Sequence, residues 1–328
     1  MPPVAVALVA LAAQASPDSG AALFQAWCKS CHGADGRGVA AASTRLEVPA
    51  ADLRDCKGSS AEPEARWVGI VTQGGAAFGL SLDMPAFGEA ATPEQIRAVV
   101  RYTRSLCGER GWPPGELNLP RPFLVEKAFP EDEVVIVDEA RDQEYIYERR
   151  LGQRLQMEAS ARSSFDGQPN AFAGVTGALK YNVWHSLERR ALVSLGVELT
   201  PPLGRQALWE VQPFLTVGAN PGRALVVQGE IVSRWEEGSG ISAAEYRFGL
   251  GGEVGRFVPM LEAGWTVPTV GARTVTLYPQ LWIRLSRLGH VAASLGAALP
   301  TVGPEPHHPR VISFLLWDFG DASLFRGW

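Results

Sequence analysis

From about Glu144 almost to the end of the chain, apolar and polar residues alternate with the period of two that belongs to an extended strand with two unlike faces. In Val275–Leu285 the odd positions are Val275, Leu277, Pro279, Leu281, Ile283 and Leu285, opposed by Thr276, Tyr278, Gln280, Trp282 and Arg284. Trp209–Val217 and Val291–Leu299 repeat the pattern. About ten such segments can be set off: 144–158, 170–184, 189–200, 207–219, 224–236, 243–254, 256–268, 274–286, 290–301 and 309–319. Each is near ten residues or longer, above the five or six usual for a soluble strand. Turn chemistry separates them, as in Pro201-Pro202-Leu203-Gly204, Asn220-Pro221-Gly222 and Gly238-Ser239-Gly240. The region 143–328 is therefore expected to be an all-β antiparallel barrel of about ten strands.

The rest of the chain is different. Residues 18–108 mix helical periodicity with glycine-rich loops and hold all four cysteines. Residues 109–142 carry Pro113, Pro114, Pro120, Pro122 and Pro130, then the acidic run Glu131-Asp132-Glu133, and read as a stiff, extended, Pro-rich linker. Met1 to Ala15 read as an export signal. Val4–Ala13 is the apolar run and Ala13-Gln14-Ala15 the small-x-small cleavage site, although a basic leading region is missing. An uncleaved N-terminal anchor is the alternative. Beyond it no stretch of about 18 apolar residues offers a membrane helix. A net charge of −5 over 328 residues speaks against a nucleic-acid surface.

The sharpest chemical signal is Cys28-Lys29-Ser30-Cys31-His32, the C-x-x-C-H spacing of covalent c-type haem attachment. On one helical turn two thiols reach the two vinyl groups of a porphyrin, and the adjacent imidazole lies beneath the iron. His32 is thus the expected proximal ligand. Met84, in Asp83-Met84-Pro85-Ala86-Phe87-Gly88, is the expected second ligand, because a thioether suits reduced iron and the loop is held out of helix by proline. The alternatives are a redox C-x-x-C pair and a Met that only fills the core.

These residues, with Gly20 and Phe24 on a first helix, Gly33, the loop Asp35-Gly36-Arg37-Gly38, and Thr92-Pro93-Glu94-Gln95 opening a last helix that bears Tyr102, resemble a class I monohaem cytochrome c domain over residues 18–108. The resemblance implies an all-α fold, one covalently attached haem c, His/Met ligation, and a crossing of first and last helices at Gly20, Phe24 and Tyr102. Cys56 and Cys107 lie outside the motif. Pairing arithmetic in an exported domain suggests a disulfide closing about 51 residues, worth near 4 kcal/mol; free thiols or an intermolecular link are the alternatives.

The C-terminal region resembles a bacterial outer-membrane β-barrel. An even strand number puts both its ends on one side, and the alternating strand Val311, Ser313, Leu315, Trp317, Phe319, with Trp328 at the end, is similar to that family's C-terminal assembly signal. Pro213, Pro259 and Pro279 inside strands oppose this, since each removes a ladder hydrogen bond. A soluble β-domain with its apolar face inward is the alternative. His185, His290, His307 and His308 lack ligand-spaced neighbours and read as solvated loop residues. No catalytic constellation is found, so the chain is not expected to be an enzyme. The expectation is an exported one-electron carrier in the periplasm, associated with the outer membrane, with a periplasmic redox protein as partner and no nucleic acid. The alternatives are a soluble periplasmic cytochrome fused to a ligand-binding β-domain, and an electron-feeding subunit of a larger oxidoreductase.

Overall fold

The computed structural model describes residues 19–40, 46, 48–167, 171–222, 224–287, 289–304 and 308–320. The export signal, His307 and Trp328 lie outside the described residues. The chain divides into two compact units, one built from Met1–Asp55 with Trp67–Gly108 and the other from Cys56–Arg66 with Glu109–Trp328.

The first unit is helical. Helix α1 (Gly20–Trp27) starts where the Ser19 hydroxyl accepts the Ala22 amide. A single turn, α2 (Lys29–His32), follows directly. Helix α5 (Pro93–Ser105) begins with the anticipated capping box: Thr92 accepts the Gln95 amide, the Gln95 side chain accepts the Thr92 amide, and Pro93 occupies the first turn. α1 and α5 meet where Gly20 has no side chain, since a Cβ there would stand 2.8 Å from Tyr102 Cβ. Phe24 and Tyr102 pack beside it with ring centroids 5.4 Å apart. Leu23, Phe24, Leu53 and Val99 form the buried core, with Trp67 and Val71 of α4 (Glu64–Gln73) packed against it.

The second unit is a closed antiparallel barrel of twelve strands, β1 (Glu133–Glu139), β2 (Asp142–Arg150), β3 (Leu155–Ser164), β4 (Phe172–Ser186), β5 (Ala191–Thr200), β6 (Glu210–Ala219), β7 (Leu225–Glu236), β8 (Gly240–Gly252), β9 (Phe257–Pro268), β10 (Thr274–Arg284), β11 (Val291–Val302) and β12 (Arg310–Asp318). Each strand pairs with its sequence neighbour, and β1 closes on β12 with Glu133 opposite Asp318.

The expected count of about ten is corrected to twelve. Segment 144–158 contained two strands, β2 and the start of β3, joined at Gly152 with φ of 137°. β1 was assigned to the linker because Val134-Val135-Ile136-Val137 does not alternate and follows an acidic run. The three prolines all face outward and sit where a ladder lapses. Pro213 falls between the Val211–Trp235 and Phe214–Val232 pairs of β6 and β7. Pro279 falls between the Leu277–Leu299 and Gln280–Gly296 pairs of β10 and β11. Pro259 lies past Gly251–Met260, the last pair of β8 and β9.

The faces of the barrel are inverted relative to a soluble protein. Ile231, Phe248, Leu261 and Leu295 point outward, Leu295 being 59% exposed and Ile231 53%, whereas the inward Glu148 and Glu262 are 0% exposed. Lys180, Asn182, Ser194, Thr216, Gln228 and Glu230 are also buried inside. A β-domain with its apolar face inward is therefore not what this sequence forms. Part of the lumen is apolar: Val135, Val258, Met260, Trp282, Ala292, Phe314 and Leu316 cluster there.

Residues 117–132, read from sequence as an extended linker, are instead packed inside the barrel. Leu117, Leu119, Val125, Ala128, Phe129, Lys127, Glu131 and Asp132 are all buried. The physical reason is that the prolines stiffen a loop whose backbone groups are satisfied by inward side chains of the strands, and the acidic run finds buried cations: Asp132 lies 3.6 Å from Arg150, Glu133 lies 2.7 Å from Arg121, and Glu131 pairs with Lys127. His290 is corrected too. It is 3% exposed, with Nε2 3.5 Å from Glu62 and Nδ1 3.4 Å from Asp318. Cys56–Arg66, which opens with helix α3 (Cys56–Ala61), supplies Glu62 and Arg66 to this cluster, and burial pushes the Glu62 carboxyl up against the opposing pull of Arg66 and His290.

Candidate functional site

Cys28 caps α1 and leads into α2, so both thiols and His32 fall on one short turn. The Gly33 and His32 amides bond back to the Lys29 and Cys28 carbonyls at 2.9 Å. A glycine-bearing strap then returns over the turn: the Gly38 amide donates to His32 O at 2.8 Å and the Val39 amide to Cys31 O at 2.9 Å. Gly38 takes φ of 83°, which an L side chain resists.

The surroundings of the Cys28 thiol differ from those of a redox C-x-x-C pair. Cys28 and Cys31 are free thiols, while Cys56 and Cys107 are disulfide-bonded. Burial and the neighbouring Cys31 push the Cys28 thiol up to about 11. A redox C-x-x-C needs the reverse, a thiolate stabilised by nearby positive charge or a helix end. Burial also lowers the His32 pKa below its ordinary value. Its Nδ1 lies 3.3 Å from the Ala51 carbonyl, an acceptor only, so Nδ1 carries the proton and Nε2 keeps the lone pair that a metal takes.

Met84 is half-buried in a loop pinned to the end of α4. Gly75 donates to Met84 O at 3.0 Å, Phe87 to Val71 O and Gly88 to Thr72 O, each at 3.0 Å. A Cβ on Gly75 would stand 2.9 Å from Met84 Cβ, so glycine lets the methionine loop lie flat on the 3-10 turn Gly75–Phe78. Phe87 stacks on Trp27 with centroids 5.4 Å apart and planes 19° from parallel, which brings the Met84 loop to the end of α1 beside Cys28.

Two features were missed by sequence reasoning. The Ala51 carbonyl orients His32, and no backbone acceptor can be read from residue type. The indole N–H of Trp67 is buried with no hydrogen-bond partner among the described residues. A buried donor left open costs about 1–3 kcal/mol, and an anionic acceptor such as a porphyrin carboxylate would satisfy it. Free thiols, a neutral oriented imidazole and an open donor together fit haem.

The N-terminal region is a cytochrome c domain. Residues 15–102 match the family model of cytochrome c oxidase, cbb3-type, subunit III. No curated protein matches the chain. Among solved structures, the KdgM porin is similar at 9% identity and a TM-score of 0.45, covering 57% of this chain and 98% of that one. An outer membrane channel from Pseudomonas putida F1 is similar at 13% identity and a TM-score of 0.44, covering 60% and 98%. The chain thus fuses a cytochrome c domain to a closed twelve-stranded barrel.

Proposed function

We propose that this protein is a one-electron carrier held at the outer membrane, with its cytochrome c domain on the periplasmic side. The observation that carries the reading is the Cys28–His32 turn, which sets two free thiols beside an imidazole whose Nδ1 is already engaged by the Ala51 carbonyl. Cys28 and Cys31 would hold one haem c through thioethers, and His32 and Met84 would ligate its iron. The haem, when bound, supplies reversible one-electron chemistry, and His/Met ligation favours a raised potential.

The residues around it do the rest. The Ala51 carbonyl fixes the tautomer and plane of His32, the Gly75 contact holds the Met84 loop, and the stacked Trp27 and Phe87 tie that loop to the end of α1. With His32 and Met84 both bound, the iron would have no coordination site for a substrate, which supports electron transfer over bond-making chemistry, with a periplasmic redox protein as partner.

The membrane half of the reading rests on the outward apolar band and the polar lumen. Twelve is even, so β1 begins and β12 ends on the same side. The connections on that side, 151–154, 187–190, 220–224, 253–256 and 285–290, are all short, as periplasmic turns are. Among the described residues no helix is long and apolar enough to cross a membrane, so the strands would be what anchors the chain.

Membrane fractionation with haem staining tests the whole reading. A coloured band of full length in the outer-membrane fraction is expected, and a colourless, properly matured protein would remove the carrier assignment. Within it, Met84→Ala should abolish the sulfur-to-iron charge-transfer band and lower the potential; an unchanged spectrum would take Met84 out of the site.

A further inference from the structure

We infer that the barrel contains a latent, cation-preferring pore that its own residues 117–132 keep shut. This rests on the reading of the barrel as membrane-spanning.

The segment is a loop that turns back inside the lumen. Asn118 Nδ2 donates to Glu131 Oε2 at 3.3 Å, and Leu117 packs with Ala128, Phe129 and Leu192. At its far point the amides of Phe123, Leu124 and Val125 donate to the single carboxylate of Glu262 at 2.7, 2.9 and 3.0 Å, and the Glu126 amide to Glu230 at 3.1 Å. The carbonyls are answered as well: Gln228 donates to Pro120 O at 2.9 Å, Lys180 to Lys127 O at 2.6 Å, Ser194 to Ala128 O at 2.5 Å, and Thr216 to Glu126 O. Phe123 closes the apolar part of the lumen, its ring 5.5 Å from that of Phe314 in an edge-to-face contact.

A peptide backbone excluded from water must have its donors and acceptors paired. Here strands from β4 to β9 spend inward side chains on main-chain atoms of this one segment. A lumen evolved for passage would leave such groups to water and solutes. A lumen lined with groups that grip a chain is a socket for that chain.

The charges give the selectivity of the hidden pore. Arg121 lies 2.7 Å from Glu133 and 2.6 Å from Glu148, and Lys127 also pairs toward Glu133. The pairing also runs the other way: the segment's Glu126 lies 2.5 Å from Lys180 of the wall and its Asp132 3.6 Å from Arg150, while Arg247 holds Glu230 at 3.0 Å from within the wall. Withdrawing the segment removes Arg121, Lys127 and the amides together with Glu126 and Asp132; Arg247 stays on Glu230, and the wall carboxylates Glu133, Glu148, Glu158, Glu198 and Glu262 then outnumber the freed Lys180 and Arg150 in an aqueous lumen. Such a pore favours cations.

The test is conductance of the full-length, haem-loaded protein in planar bilayers, with flotation on phosphatidylethanolamine/phosphatidylglycerol vesicles as the check of insertion. The wild type should float and pass no steady current. Replacing residues 119–130 with a Gly/Ser segment of equal length should give a steady, cation-selective conductance, with heat-modifiable gel mobility showing that the barrel still forms. Glu262→Gln, which keeps the shape and removes the charge, should raise the open fraction about tenfold, as expected for weakened hydrogen bonds to a charged acceptor. A wild type that floats and conducts steadily overturns the proposal, and so does a folded replacement variant that stays closed or a Glu262→Gln variant indistinguishable from wild type. A wild type that does not float breaks the membrane reading instead.

Discussion

The two regions of this chain solve burial in opposite senses. In the N-terminal unit Leu23, Phe24, Leu53 and Val99 turn inward, and charged residues such as Lys29 and Glu94 lie outside. In the barrel the inward residues include Glu148, Lys180 and Glu262, and the outward ones are leucines, valines and aromatics. One unit is held by apolar burial; the other by polar pairing in a lumen, with apolar side chains turned outward. The lesson is that hydrophobic pattern alone does not locate a core. Strand geometry gives each side chain a face, and only the closure of the barrel shows which face is inside.

Substitutions that act differently on the two sides sharpen this contrast. Phe24→Ala empties the centre of the helical core beside Tyr102 and should cost about 3–5 kcal/mol of that unit's stability, seen as a lower helical melting transition; a change under about 1 kcal/mol would mean that α1 and α5 are not held by this contact. On the barrel, Ile231→Lys places a charge on the outer face at mid-strand. It should cost about 2–4 kcal/mol in urea unfolding from lipid vesicles, whereas a neutral or stabilising effect would show that this face meets water. Smaller again is Thr92→Ala, which removes the α5 cap and should cost about 1 kcal/mol on the helical transition only.

The smallest effect is electrostatic. Burial foremost raises the Glu62 carboxyl in the folded state, so between its unfolded and folded values the native protein binds more protons than the unfolded one. Stability from this group is fullest below the unfolded value near 4.5 and declines as pH rises through the folded one. Glu62→Gln should flatten that decline in melting temperature against pH. A variant with an unaltered slope would assign the dependence to other groups.

Much of the cytochrome c domain was legible because its signals are local. Cys28, Cys31 and His32 sit on one turn, Thr92 and Gln95 cap within three residues, and Gly20 needs only to be small. The strands were legible for the same reason, since alternation is local too. β1 was hidden because its apolar run lacks a polar face to contrast with, and the β2–β3 turn because Leu151-Gly152-Gln153-Arg154 carries one weak turn signal. His290 read as a loop residue because its partners, Glu62 and Asp318, are distant in sequence.

By itself the sequence determined that Cys28, Cys31 and His32 share one turn, where α1 and α5 begin and which stretches are strands with two unlike faces. Those follow from short-range chemistry along the chain. Only the tertiary structure decided that the barrel closes with twelve strands, that its polar face points inward, and that the proline-rich segment lies within it. Pro120 and Glu131 look solvent-bound until Gln228, Lys127 and Asn118 are brought to them. A buried charge or carbonyl is defined by its partner, and for the groups that line the lumen, folding chooses partners from strands as many as 139 residues apart in sequence.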